Sequence, residues 1–116
     1  MTNNVISERE LTSAVIECGR MLGFLVAHFR PSRTSSGGWV TAVQGDGKGF
    51  PDLVLAGGGH VVFAELKVMK GRLAEQQLVW RDTIESCPGV TYRLWTDVDW
   101  WAGAIEEQLR SLKGRT

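Results

Sequence analysis

Gly49-Phe50-Pro51-Asp52-Leu53-Val54-Leu55-Ala56, then Gly57-Gly58-Gly59, then His60-Val61-Val62-Phe63-Ala64-Glu65-Leu66-Lys67 is the stretch on which the fold turns. Two apolar, β-prone runs flank three glycines. A glycine run supplies the positive φ of a tight reversal, so the stretch reads as an antiparallel hairpin. Counting back from the turn sets Asp52 opposite Ala64 or Glu65, for a loop of three or four residues. Directly opposed side chains stand about 4.5–5.5 Å apart at Cβ. Two carboxylates that close are unfavourable unless one takes a proton or a cation comes between them. Lys67 follows Glu65 by two, and strand side chains alternate, so it emerges on the same face. Asp, Glu and Lys thus converge at the ends of two otherwise apolar strands.

That constellation suits metal-assisted hydrolysis of a phosphodiester. Hard carboxylate oxygens favour Mg²⁺ or Mn²⁺, and Mg²⁺ takes one or two carboxylates while keeping waters and substrate phosphate oxygens. A bound cation polarises the phosphoryl oxygen and acidifies a water, and Lys67 would orient that water or neutralise charge developing on phosphorus. An Asp and a Glu-x-Lys pair also occur on the solvent faces of ordinary strands, so the rest of the chain decides their weight.

A chain of 116 residues is the length of one domain. Hydrophobic content of 43% and charged content of 22% are those of a soluble globular protein. No apolar run reaches the ~20 residues of a membrane span, and Met1-Thr2-Asn3-Asn4 lacks the basic-then-apolar pattern of a secretory signal. No membrane association and a cytoplasmic location are expected. Cys18 and Cys87 make neither a disulfide framework nor a zinc pattern, and Cys18 falls in a helical apolar stripe as a buried free thiol. Zero formal net charge argues against coating nucleic acid by bulk electrostatics, so any phosphate contact must be local.

Residues 7 to 22 carry a helix pattern. Ser7 and Glu10 form a capping box, and Leu11, Val15, Cys18 and Leu22 repeat along one buried face. Glu8 is in phase with that face. It either sits at the rim of the core or reaches the hairpin site as a third acid, binding a metal directly or through water. Gly23 ends the helix, and 24–30 reads as a first strand. Residues 31–48 form a long loop on the substrate side, interrupted by Trp39-Val40-Thr41-Ala42-Val43. Arg30, Arg33 and Lys48 flank the site and could hold backbone phosphates, with Trp39 available to stack on an unpaired base. Lys70 and Arg72 make a short basic connection after the hairpin. The second helix, 73–86, presents Leu73, Gln77, Trp80 and Ile84 on one side. Gln77 faces inward, where it bonds the sheet backbone or reaches the site. Val90 to Trp95 makes the last strand, and Thr96 or Asp97 caps a terminal helix to about Leu112, with Trp101, Ala104, Ile105 and Leu109 inward and Trp100 at the surface.

The order α-β-β-β-α-β-α, Gly49-Phe50-Pro51-Asp52 followed after twelve residues by Glu65-Leu66-Lys67, the Ser7-Glu8 helix start, and Gly71-Arg72-Leu73 leading to Gln77 and Trp80 resemble the PD-(D/E)XK nuclease superfamily. Within it the chain is similar to the virus-type replication-repair nuclease domain, VRR-NUC, over roughly Ser7 to Ile105. The resemblance implies an α/β fold with a restriction-endonuclease-like core, a central mixed sheet flanked by helices, in a single domain over 1–116 whose core spans about 7–112. It implies that Glu8, Asp52 and Glu65 surround one or two Mg²⁺ or Mn²⁺ ions, with the Leu66 carbonyl as a further ligand. Lys67 would be the catalytic lysine and Gln77 the helix residue that supports it. Stand-alone members are often phage-encoded, which would place the chain in the host cytoplasm. They tend to be homodimers, and include nucleases selective for branched DNA such as four-way junctions. Ala74-Glu75 departs from the usual Ser-Pro at the second helix start. A restriction-like or single-strand-specific nuclease, and an inactive module that only binds nucleic acid, are the competing expectations.

Overall fold

A computed structural model describes residues 5–29, 32, 33, 39, 40 and 44–113, with residues 32, 33, 39, 40 and 113 described by backbone alone. The first helix, α1 (Glu8–Met21), opens with the expected box: Ser7 Oγ accepts from Glu10 N–H at 3.0 Å, and Glu10 Oε1 accepts from Ser7 N–H at 2.9 Å. Gly23, with φ of 93°, follows the C-cap Leu22. Then come β1 (Leu25–His28), β2 (Ser32–Arg33), β3 (Trp39–Val40), β4 (Leu53–Gly57), β5 (His60–Lys67), α2 (Glu75–Glu85), β6 (Thr91–Thr96), α3 (Asp97–Trp101) and α4 (Ala104–Lys113).

β1, β4, β5 and β6 form a four-stranded sheet in that order, antiparallel except for the parallel β5–β6 pair. The chain is therefore an α/β fold with a mixed sheet flanked by helices. The long loop contributes a separate ribbon, with Ser32 opposite Val40 and Arg33 opposite Trp39, where the sequence suggested only an interruption.

The hairpin closes more tightly than expected. Gly57 pairs with His60, so the loop is the two residues Gly58 and Gly59, with φ of 58° and 83°. A two-residue loop keeps the register of a four-residue one. Leu53 pairs with Ala64, and one step further along, Asp52 comes opposite Glu65.

Alternation in β5 then divides the layers. Val62, Ala64 and Leu66 point into the main core with Leu53, Leu55, Leu11, Val15, Trp95, Ile105 and Leu109. Phe63, Glu65 and Lys67 point to the other face, where α2 lies. At about 25 cal/mol per Å² of apolar surface removed from water, this core is the chief stabilising term.

The terminal helix is broken. α3 ends at Ala102 and Gly103, whose φ is 76°, and α4 starts afresh. The break resets the helical phase, so Trp101 is 51% exposed while Trp100 packs on the core, the reverse of the expectation from one continuous helix. Thr96 is the cap, its hydroxyl accepting from Asp99 N–H. Cys18 is half-buried and Cys87 exposed, both as free thiols. Among the described residues, no helix is long and apolar enough to cross a membrane.

Candidate active site

Asp52 sits where the Gly49–Asp52 segment enters β4. Its Oδ2 accepts from Leu66 N–H at 2.9 Å, and its own carbonyl accepts from Phe29 N–H at 2.9 Å. It is thus clamped between the ends of β5 and β1. Glu65 lies across from it, 2% exposed. Gln77 reaches down from α2: its Nε2 donates to Glu65 Oε2 at 2.9 Å, while its Oε1 accepts from Ala74 N–H at 2.7 Å. The backbone donor at the helix start settles which end of the amide faces Glu65. Gln77 therefore holds Glu65 rather than Lys67. It also supplies half a capping box to α2, which the apolar Ala74 at the cap does not complete.

Electrostatics report the same convergence. Burial, the facing Asp52 charge and a hydrogen bond to Asp52 push the Glu65 carboxyl up to about 9, with Lys67 opposing and Glu8 adding. Ionisation of Glu65 is thus disfavoured where it stands, in the low-dielectric strand end beside Asp52. Glu8, on the first turn of α1, is raised by partial burial and then by Asp52, and lowered by Lys67. Four residues from a helix tip, a segment start and a strand end thus act on one another. Asp52 and Glu65 touch; Glu8 acts on them through space. Among the described residues no group of three or more His, Cys, Asp and Glu side chains stands close enough to hold a metal ion.

Two facing carboxyls, one held back from ionising by its burial and then by the other, are hard oxygen donors of the type Mg²⁺ and Mn²⁺ take. A site with two carboxylates and otherwise water suits Mg²⁺. The two carboxylates fit such an ion: a divalent charge between Asp52 and Glu65 would offset both the burial and the repulsion that raise the Glu65 carboxyl.

The remaining candidates divide. Lys48, Lys70 and Arg72 are exposed. Lys48 borders a surface cavity of about 340 Å³ with Gly45, Asp46, Gln76, Val79, Trp80 and Thr83. Arg30 lies outside the described residues, as do the side chains of Arg33 and Trp39.

Several residues shape the site without being candidates for its chemistry. Phe50 is the hub of an edge-on aromatic cluster, with ring centroids 5.1 Å from Phe29, 6.1 Å from Phe63 and 4.9 Å from Trp80. Each such pair adds about 0.5–1.5 kcal/mol beyond area burial. Trp80 also donates from Nε1 to the Asp46 carbonyl at 2.9 Å, strapping the preceding loop to α2. Gly49 makes this possible. Its φ is 84°, and a Cβ there would lie 2.5 Å from the Gln76 carbonyl carbon. Gly49→Ala is therefore expected to destabilise the fold by about 2 kcal/mol or more and to loosen Gln77, measurable by denaturant unfolding. Tyr92 pairs with Phe63 across β5–β6; burial and then the Glu65 charge push its phenol up to about 12, so it lies within the field of the site as a neutral group. Its place beside Phe63 comes from the β5–β6 register, which no spacing along the chain carries.

No protein-family model matches the chain, and no curated protein matches it.

Proposed function

We propose that this chain is a divalent-metal-dependent phosphodiesterase on a PD-(D/E)XK-type core. In particular, it would be a VRR-NUC-type DNA endonuclease that prefers branched DNA. The observation that carries the reading is the buried Glu65 carboxyl, forced against Asp52 within the reach of Glu8 and Lys67. A purely structural strand end has no use for a buried acid facing another acid, which costs stability unless a ligand relieves it.

Asp52, Glu65 and the Leu66 carbonyl would hold Mg²⁺ or Mn²⁺, with Glu8 able to join through water. When bound, the ion supplies charge for the phosphoryl oxygens and a more acidic water. The chain's own residues do the rest. Gln77 fixes the orientation of Glu65, the Leu66 N–H fixes Asp52, and the Lys67 ammonium stabilises negative charge building on the phosphate. Lys48, Lys70 and Arg72, with Arg30 and Arg33, would position the DNA backbone. A homodimer would bring two such sites to the two strands of one substrate. Exposed Met21 and Leu25, beside and on the edge strand β1, offer apolar surface for a second copy.

The absence of a ready three-acid group among the described residues is the observation that favours the other reading, a module that only binds nucleic acid. Both are tested by incubating the protein with Mn²⁺ and a panel of linear, flap and four-way DNAs, beside a calorimetric Mn²⁺ titration. Cleavage ranked with the four-way junction first is expected. Uptake of no Mn²⁺ at millimolar concentration, with no cut on any DNA, would leave the binding module.

A further inference from the structure

The connection from β5 to α2 contains a feature the site does not use. Val68 to Gly71 is a turn closed by the Gly71 N–H on the Val68 carbonyl at 3.0 Å. Both of its central residues have positive φ, Met69 at 53° and Lys70 at 60°. In such a primed turn Asn-Gly or Gly-Gly is the unstrained choice. A Cβ-bearing residue in the left-handed region crowds the following carbonyl oxygen, and two in succession persist only where something over-determines them.

Part of the cause lies inside the molecule. A Cβ on Gly71 would sit 3.4 Å from Lys67 Cδ and 3.2 Å from the Val68 carbonyl oxygen, so the chain folds back tightly on the Lys67 stem. Tightness explains the dihedral angles. It does not explain a Met and a Lys, since Asn-Gly would adopt the same turn more easily. Met69 is 78% exposed and has no place in the core. Lys70 and Arg72, also exposed, lie beside it.

We infer that Met69 is an apolar wedge that inserts between adjacent DNA bases next to the scissile phosphate, while Lys70 and Arg72 hold the flanking phosphates. This rests on the nuclease reading. Unbranched or bulky apolar side chains open base steps and kink the duplex, and the thioether of Met adapts to an irregular gap. The turn begins one residue past Lys67, so the wedge stands beside the groups that act on the phosphate. A base step already loosened by a branch is easier to open than one in continuous duplex. On a protein of zero net charge, an apolar anchor also supplies grip that a basic coat does not.

The test uses the full chain and its Met69→Asn and Met69→Leu variants, with Ca²⁺ in place of Mn²⁺ and 2-aminopurine placed in turn at each base around the branch of a four-way junction and along a linear duplex. Asn tolerates the left-handed region, so Met69→Asn should fold and melt higher than the parent. Emission is expected to rise at a position near the branch with the parent and with Met69→Leu, by about twofold or more, and not with Met69→Asn, whose Kd should be about tenfold weaker. A Met69→Asn protein that raises emission as the parent does, or a parent that binds and leaves every position unchanged, overturns the wedge. Parent protein that raises emission on DNA it never cuts in Mn²⁺ upholds the wedge and overturns the nuclease reading. Failure to bind either DNA overturns both.

Discussion

Lys67→Ala is expected to lower DNA cleavage in Mn²⁺ by about 10²–10³-fold, the usual loss when a group that stabilises developing charge is removed, with a melting temperature close to that of the parent. Lys67 is the last residue of β5 and only half-buried, so truncating it removes little packing. It has a second effect. Its ammonium lowers the proton affinity of both Glu65 and Glu8, and without it both acids hold their protons to higher pH. Residual activity of the variant should therefore rise with pH over a more alkaline range than the parent's. Asp52→Ala should lose cleavage as completely and unfold more easily, because the Leu66 N–H then has no acceptor. Parent-like rates in either variant would remove the assignment.

Glu65→Gln is expected to stabilise the metal-free protein at alkaline pH while abolishing cleavage. The Glu65 carboxyl is raised from 4.5 to about 9 in the folded protein, so between those values the folded state keeps a proton that the unfolded chain has released. Stability is then fully present below pH 4.5 and is lost as pH rises through about 9, with a slope of at most about 1.4 kcal/mol per pH unit for one proton. Glu8, also raised, acts in the same direction. Gln at position 65 keeps the shape and can still meet the Gln77 amide, but it has no charge to bury. Its thermal melts from pH 5 to 9 should be much flatter than the parent's. Mn²⁺ should raise the parent's melting temperature more at pH 8 than at pH 6, because binding must displace the proton. Mn²⁺ that stabilises the variant as much as the parent would mean that Glu65 is not a ligand.

Much of the scaffold was legible from local signals. The Ser7–Glu10 box, the glycine reversal and the apolar alternation of β5 are properties of short segments, governed by backbone donors, φ preferences and period-two geometry. They sufficed to put Lys67 on the face of Glu65 and to narrow the partner of Asp52 to Ala64 or Glu65; the two-residue turn decided for Glu65. The helix break at Ala102–Gly103 was not legible, because the apolar positions on either side read as one stripe until the reversal at Gly103 changes their phase.

Segment chemistry on its own determined the first helix, the main-sheet strands with their glycine reversal, and the residue types that can hold a divalent ion, because each of these depends on neighbours close in the chain; the β2–β3 ribbon and the α3–α4 break it did not give. Only the tertiary structure decided that Gln77 belongs to Glu65, that Gly49 must be bare to let α2 approach, and that Phe50 and Trp80 lock the two together. Only it decided, too, that Glu65 is buried with its carboxyl pushed up while Glu8 stays at the rim. Proton affinity depends on how much water and which charges surround a group in three dimensions, and spacing along a chain carries neither.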